Sequence, residues 1–480
     1  MPGKQTRKDH GAGPAAVPRG QAVVSKTRFR LNVYLIYLRS GWLPGLLLAA
    51  SLLVGVYILP GRFRGWLLAK AIVSLQTLFA AAKMVTGGVV TRALFYLSSG
   101  LTERADSGTY KQNTVASVKT LQSWYVARSG LWDTTGWWNS GNIFTTLGDF
   151  SSLAPSEANN LGLAGVLANT FTNAQKSTFA AKKVLSGSFM ITTTYTKVPA
   201  GDLAARGFGG FLNDYYDDEG WWALGLIRAY DVTRDTRYLD AAQHIFEDMR
   251  NGTDNKCGGG IWWSKERGYK NAIANELYLS VTASLANRAP DAARKAFYLD
   301  IAKKQWAWFK NSGMINGQRL INDGLKINPD GSCVNNAGNT WTYNQGVVLG
   351  GLVELARASP GDAASLLADA TGIASAAIRA LSSNGILREV CDNDAQGCGA
   401  DGSQFKGIFT RNLGYLQRAA PQDAFRAFIL ANADSIWARA RSGDNKLGLN
   451  WAGPPGAGGG PQAGTHSSAM DTLVAAIAVA

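Results

Sequence analysis

The feature that most restricts this chain is a succession of amphipathic segments running from about residue 108 to the last residue. In residues 236–249 the apolar positions Tyr238, Leu239, Ala242, Ile245, Phe246 and Met249 recur at helical spacing, and Asn251-Gly252 then stops the element. Comparable stretches lie at about 108–125, 139–152, 158–172, 219–231, 270–287, 293–311, 342–358, 361–382, 403–418, 421–441 and 467–480, which makes twelve helices. Strand alternation is scarce and no repeat of fixed period is visible, which disfavours an open solenoid. An even number of helices without an intervening linker predicts helical hairpins closed into a ring, an all-α toroid. With 480 residues and 46% hydrophobic content, such a chain buries a large core without needing metals or disulfides to fold.

The formal charge of +14 suggests nucleic acid, but its distribution argues otherwise. Residues 1–100 hold 13 Lys and Arg against one acid, Asp9, while the remaining 380 residues carry 35 bases and 33 acids. A near-neutral body with a basic head is not a groove lined for phosphate, and nucleic-acid binding is set aside.

Residues 1–40 read as a basic cytoplasmic tail, 41–60 as a transmembrane signal anchor, 61–107 as a stem with an amphipathic helix, and 108–480 as the helical domain. The run from Trp42 to Pro60 carries no charge inside it and is long enough to cross one bilayer. Lys26, Arg28, Arg30 and Arg39 in front of it place the N-terminus in the cytoplasm. A cleaved secretory signal is the competing reading; the run is long for one and lacks a clear cleavage site. Either way the chain after about residue 100 lies where thiols oxidise.

The cysteines agree with that compartment. Cys391 and Cys398 bracket a short polar loop that one bridge can staple, which leaves Cys257 for Cys333, although four cysteines permit three connectivities. None of His10, His244 and His466 stands beside a Cys and no CxxC spacing occurs, so zinc is not expected. Asn251-Gly-Thr is an N-glycosylation sequon at a helix end.

Several connections are rich in Gly, Trp, Asn and Asp: residues 136–139, 213–222, 257–263 and 335–345. On one rim of a ring they would form a wet, aromatic cleft. The second of these holds Asp214, Asp217, Asp218 and Glu219 just before a helix, enclosed by Tyr215, Tyr216, Trp221 and Trp222. Acids at a helix start are favoured by the macrodipole, so capping explains some of them. Aromatic walls, however, desolvate a carboxylate and raise its pKa toward that of a usable general acid. Adjacent residues at a helix start can hold their carboxyls about 5–6 Å apart, the separation of retaining rather than inverting glycosidases. On physics alone, capping and catalysis remain evenly matched.

The segment Tyr-Tyr-Asp-Asp-Glu-Gly-Trp-Trp-Ala-Leu (215–224), with the following Ala-Tyr-Asp-Val-Thr-Arg-Asp-Thr-Arg-Tyr-Leu, resembles glycoside hydrolase family 76, the α-1,6-mannanases, particularly the fungal members. Further matches follow in order: Thr-Gly-Trp-Trp-Asn-Ser-Gly-Asn (135–142), Cys-Gly-Gly-Gly-Ile-Trp-Trp (257–263), Lys-Asn-Ala-Ile-Ala-Asn-Glu-Leu (270–277), Thr-Tyr-Asn-Gln-Gly (342–346) and Phe-Lys-Gly-Ile-Phe-Thr-Arg-Asn-Leu (405–413). The resemblance implies an (α/α)6 barrel and endo-acting, retaining hydrolysis of α-1,6-mannan, with Asp217 as nucleophile and Asp218 as acid/base. It implies no metal or organic cofactor and a monomer acting on mannan. Transglycosylation in a cell wall is the alternative activity, and a catalytically silent glycan-binding protein the alternative of another class.

The matched positions supply the expected substrate contacts: Trp137, Trp138, Asn139, Asn142, Trp222, Trp262, Trp263, Asn275, Glu276, Asn344 and Gln345. One Trp of each consecutive pair, 137/138 and 262/263, should face the cleft as a sugar platform and the other the core. Asn275 and Glu276 read as inner-wall groups for hydroxyls, whereas Asn344 and Gln345 open a helix and suit a cap as well as a ligand. Lys406 and Arg411 are expected to secure their loop through carboxylates such as Asp401.

Overall fold

The computed structural model describes residues 105–176, 179–185, 191–197, 209–392 and 398–480. The expected tail, signal anchor and nearly all of the stem lie outside them. Among the described residues no helix is long and apolar enough to cross a membrane.

Twelve long helices are present among the described residues: α1 Ser107–Leu121, α2 Trp137–Leu153, α3 Leu163–Ala174, α4 Tyr216–Thr233, α5 Thr236–Asn251, α6 Ala272–Ala286, α7 Ala292–Asn311, α8 Thr342–Ala358, α9 Ala363–Ala380, α10 Phe405–Ala419, α11 Asp423–Arg439 and α12 Ala463–Val479. Each overlaps one of the twelve segments anticipated from periodicity. Their starts obey local chemistry: Asp106, Asp235, Asn271 and Asp291 cap α1, α5, α6 and α7 by accepting first-turn backbone N–H groups.

The even-numbered helices form an inner ring. Helix α2 packs on α4, α4 on α6, α6 on α8, α8 on α10, α10 on α12, and α12 returns to α2. The odd-numbered helices lie outside: α5, for example, packs on α4 and α6, and α1 covers α12. The two sets differ in how they are buried. Helix α5 hides one stripe, Tyr238, Leu239, Ala242, Ile245, Phe246 and Met249, as its spacing predicts. Helix α6 is buried at every residue, which suits an inner wall. Burying one side chain such as Phe246 contributes about 1.5–3 kcal/mol.

Backbones in the inner ring approach closely where glycine permits. A Cβ on Gly346 of α8 would stand 2.6 Å from the Cα of Phe409 on α10, so any larger residue there pushes the two helices apart. The connections ahead of the inner helices are stapled as expected. Cys257 bonds Cys333 with Cα atoms 5.4 Å apart, and Cys391 bonds Cys398 at 4.9 Å. The first closes a separation of 76 residues, which chain entropy values at about 4 kcal/mol.

Four antiparallel strand pairs among the described residues were not anticipated; three are short and one is long. Phe179–Leu185 and Ile191–Lys197 form an antiparallel hairpin between α3 and α4, with Lys183 directly opposite Thr193. The run Thr192-Thr-Thr-Tyr-Thr is rich in β-branched residues and follows Ser186-Gly-Ser, a signal that the helical periodicity elsewhere obscured.

Candidate active site

The inner helices all begin at one end of the ring. There, Trp138 of α2 stacks on Trp221 of α4 with ring centres 5.4 Å apart, Trp221 lies 6.4 Å from Tyr343 of α8, and Tyr343 stacks on Phe405 of α10 at 3.7 Å. This aromatic layer crosses the barrel just beneath the first turn of α4.

That first turn carries the acids. Glu219 ties down the turn ahead of the helix: its Oε1 accepts from the backbone N–H of Asn213 at 2.9 Å and from Lys265 Nζ at 2.7 Å. Burial holds its carboxyl well above the ordinary range, with Lys265 pulling the other way. Asp217 Oδ1 accepts from the Asp218 amide at 3.0 Å. Asp217 Oδ2 accepts from Trp263 Nε1 at 3.0 Å, and Asp218 Oδ2 from Asn213 Nδ2 at 2.7 Å. Burial pushes the Asp218 carboxyl up to about 7, Lys183 opposes the rise and Asp217 adds to it.

Lys183 of the hairpin joins the pair. Its Nζ donates to Asp217 Oδ2 at 3.0 Å and to Asp218 Oδ1 at 2.5 Å. Burial alone would lower the ammonium; Asp217, Asp218 and Asp401 outweigh it and hold Lys183 above its ordinary value. A single nitrogen reaching both acids places their nearest oxygens closer than the roughly 6.5 Å at which inverting pairs begin. Asp218 is fully buried and Asp217 is 4% exposed, so the pair is covered in this state.

Further acids surround it. Asp401 Oδ1 accepts from Trp138 Nε1 at 2.7 Å and its Oδ2 from the Thr193 hydroxyl. Behind Trp263, Tyr269 donates its hydroxyl to Asp323 at 2.5 Å, and burial pushes Asp323 up to about 6 against that hydrogen bond. Lys183, Asn213, Asp323, Asp401 and Tyr343 were not singled out as site residues from sequence. Only Asn213 and Tyr343 stood in segments already marked as rich in Gly, Trp, Asn and Asp, and Asp401 was named only as a partner for Lys406 and Arg411. Lys406 instead binds Asp392 at 2.5 Å, and Arg411 reaches Asp471 at 3.4 Å and the side chain of Asn142.

The remaining expected contacts divide. Trp138 and Trp263 touch the acids of the site, whereas Trp137 packs in the core on Trp222, as one of each pair should. Trp222 is a correction: it is fully buried between Trp137, Phe144 and Phe211 and presents no face to a sugar. Trp262 is directed to the loop below, donating to Asp254 at 2.6 Å with Lys270 over its ring. Asn139 also turns to structure, donating to Gln404 Oε1 at 2.9 Å and accepting from the Gly136 backbone N–H at 3.1 Å. Asn142 accepts from Arg411.

Asn275 and Gln345 are loop clamps rather than hydroxyl ligands. Asn275 accepts from the Ile261 amide at 2.8 Å and donates to its carbonyl at 3.0 Å; Gln345 does the same to Ile321, both at 2.8 Å. Each fixes the connection that leads into its helix. Their neighbours Glu276 and Asn344 are equally buried, yet neither side chain has a hydrogen-bond partner among the described residues. Burial, reinforced by Asp323, holds Glu276 well above the ordinary carboxylate range. Asn251 ends α5 and is exposed.

A closed ring of helical hairpins with buried adjacent carboxylates at its open end is the architecture of an all-α glycosidase barrel. The family model for glycosyl hydrolase family 76 matches residues 105–479, and the chain belongs to that family. Among curated proteins it is 26% identical over 335 residues to mannan endo-1,6-alpha-mannosidase DFG5 of Candida albicans, covering 66% of this chain and 67% of that protein. It is 28% identical over 253 residues to the DFG5 protein of Saccharomyces cerevisiae, covering 49% and 54%. The matched stretch therefore spans about half to two thirds of these relatives' lengths. Among solved structures, an inactive variant of the alpha-1,6-mannanase GH76A of Salegentibacter sp. HEL1_6, with two adjacent aspartates changed to asparagine and alpha-1,6-mannotriose bound, has the same fold. Its TM-score is 0.62 at 21% identity, with 78% of this chain and all of that chain covered. Dfg5 from Chaetomium thermophilum, in complex with glucosamine, aligns at a TM-score of 0.61 and 17% identity over 77% of this chain and 90% of that one.

Proposed function

We propose that the protein is a retaining, endo-acting glycosidase for α-1,6-mannosidic bonds, with Asp217 as nucleophile and Asp218 as acid/base. The observation that carries this reading is the adjacent buried carboxylate pair, close enough for one ammonium to bind both and differing in surroundings. Asp217 Oδ2 is oriented by the Trp263 indole, whereas Asp218 is raised to about 7 and so keeps a proton to give in mildly acidic solution.

In the first step an Asp217 oxygen bonds to the anomeric carbon as the glycosidic C–O bond breaks, and the Asp218 proton passes to the departing oxygen. In the second, Asp218, now a carboxylate, takes a proton from water while that oxygen displaces Asp217. A sugar hydroxyl in place of water gives transfer instead of hydrolysis by the same proton movements. Glu276 and Asn344, buried without protein partners, are the inner-wall groups best suited to sugar hydroxyls.

The substrate class is supported by the names of the curated relatives, and the pair by the bound mannanase inactivated at two adjacent aspartates. The two disulfides suit a secretory-pathway protein, and exposed Asn251 suits its sequon. Residues 41–60 are proposed as its membrane anchor. Incubation with α-1,6-mannotetraose, following products by NMR, tests the reading. Initial release of the α-anomer is expected; initial release of the β-anomer, or no cleavage, rejects it.

A further inference from the structure

The hairpin between α3 and α4 enters the catalytic end of the barrel with one face only. Lys182 and Val184 are exposed, Val184 by 54%, while Lys183 between them is buried. Its cross-strand partner Thr193 turns to the same side and donates to Asp401. The Lys183 amide donates to the Tyr215 hydroxyl at 2.9 Å, and its ammonium lies 4.9 Å from the Tyr215 ring centre. Thus one cross-strand pair of side chains spans from Asp217 and Asp218 to Asp401.

We propose that this hairpin is a self-inhibitory gate: Lys183 occupies the space between the catalytic carboxylates that the scissile bond needs, and substrate enters only when Lys183 and Thr193 are withdrawn together. The proposal rests on the glycosidase reading of the pair. In a double displacement the anomeric carbon meets one carboxylate while the leaving oxygen meets the other, so both must lie between the two acids. The ammonium already bridges that gap at 3.0 and 2.5 Å, and a sugar ring cannot share it. The burial of both acids says the same, because a polymer cannot reach carboxylates covered to this degree.

The contacts are of a kind that can be exchanged. Those described for the inward face are polar, and a buried ion pair recovers hydration, or hydroxyl partners, when it opens. A long chain makes more contacts with the barrel rim than a short one and so has more binding energy with which to displace the hairpin. The gate therefore discriminates by substrate length, favouring long mannan over short oligosaccharides.

The test compares the whole protein with Lys183→Met, which keeps the side-chain length without the charge, and Thr193→Val at the other contact. If the closed state holds most molecules, Lys183→Met raises kcat/KM on α-1,6-mannotetraose about tenfold, chiefly through KM, and Thr193→Val raises it less. The gain on long mannan is smaller. Amide exchange of the hairpin in the wild type speeds up when a non-hydrolysable S-linked α-1,6-mannotetraose binds. A fall in kcat/KM in Lys183→Met, or slower hairpin exchange with sugar bound, overturns the gate and makes the hairpin a lid that closes on substrate. Should no protein cleave any α-1,6-mannoside, the glycosidase reading fails on its own. The Lys183 lock on the hairpin is then judged by itself: it stands if Lys183→Met alone speeds hairpin exchange about tenfold, and falls if exchange is unchanged.

Discussion

The two ends of the inner ring are built from the same six helices and have opposite chemistry. At the helix starts lie Asp217, Asp218, Glu219 and Asp401, all buried. At the helix ends a cavity of about 850 Å³ is lined by Arg228, Arg234, Arg288, Arg357, Arg411 and Arg418. Four of these arginines are tied to acids: Arg228 to Asp149 at 2.7 Å, Arg288 to Asp231 at 2.6 Å and Glu354 at 3.0 Å, Arg357 to Glu354 at 3.7 Å and Arg411 to Asp471 at 3.4 Å. Six parallel helices offer unsatisfied N–H groups at one rim and unsatisfied carbonyls at the other, so acids collect at the first and guanidinium groups at the second. What separates chemistry from structure is pairing. Arg228 and Arg288 are held by acids, whereas the opposite rim gathers Asp217, Asp218, Glu219 and Asp401 around two lysines, Lys183 and Lys265.

If that division is real, substitutions at the two ends fail in different ways. Asp218→Asn at the open end should cut turnover of α-1,6-mannotetraose by roughly 10²–10⁴-fold while its melting temperature stays near that of the wild type. Loss of folded protein instead would make the pair structural. Arg228→Ala at the other end should do the reverse, leaving Asp149 buried without its guanidinium at a cost of about 3 kcal/mol. Urea denaturation would register that loss, and the kcat of the folded fraction should hold within about twofold, because Arg228 lies on the far side of the Trp138–Trp221 layer from Asp218.

Titration sharpens the contrast further. In the proposed role Asp218 delivers a proton to the leaving oxygen, so kcat/KM should decline as pH rises past about 7; a profile flat to pH 9 would remove it from that role. The same burial has a stability consequence. Asp218 and Glu389 at about 7, and Asp323 and Asp471 at about 6, keep protons in the folded state that the unfolded chain has already released. The folded state then binds more protons, and the stability these groups supply is present at low pH and lost as pH rises through 6 to 7. His466 works the other way, since burial lowers it to about 4 and its contribution disappears as pH falls below its unfolded value. With four carboxyls against one imidazole, the urea midpoint should rise on going from pH 8 to pH 6. A midpoint that falls would show that these acids are ionised in the folded protein.

The helical architecture was open to a reader of the sequence because an outer helix such as α5 must bury one stripe and expose another. The acidic pair was legible as a pair, since capping one helix does not take three consecutive acids, and Glu219 goes instead to the Asn213 amide ahead of the helix. The role of single polar residues was not legible. Asn275 and Glu276 are neighbours on one buried helix, and only the position of the Ile261 backbone decides which of them is clamped. Trp222 likewise stands next to Trp221 with the same composition around it, yet one turns to the core between α2 and α4 and the other into the layer across the barrel. Lys183 was hidden for a different reason: it comes from 34 residues before Asp217, in a hairpin whose β-branched run is short against a background of helices.

The finest division falls between adjacent residues of α8 at the open end. Gln345 holds both backbone groups of Ile321, and Asn344 beside it has no partner on either amide atom among the described residues. Truncating Gln345 strands a buried N–H and C=O, so Gln345→Ala should cost about 1–3 kcal/mol in urea denaturation and reach activity only through a loosened loop. Truncating Asn344 removes no hydrogen bond of the free protein, so Asn344→Ala should leave stability within about 0.5 kcal/mol. If Asn344 binds a sugar hydroxyl, that variant raises KM for α-1,6-mannotetraose about fivefold to tenfold, as one lost hydrogen bond would. Equal loss of stability in both variants would mean that Asn344, too, is part of the scaffold, and that the sugar is gripped elsewhere on the ring.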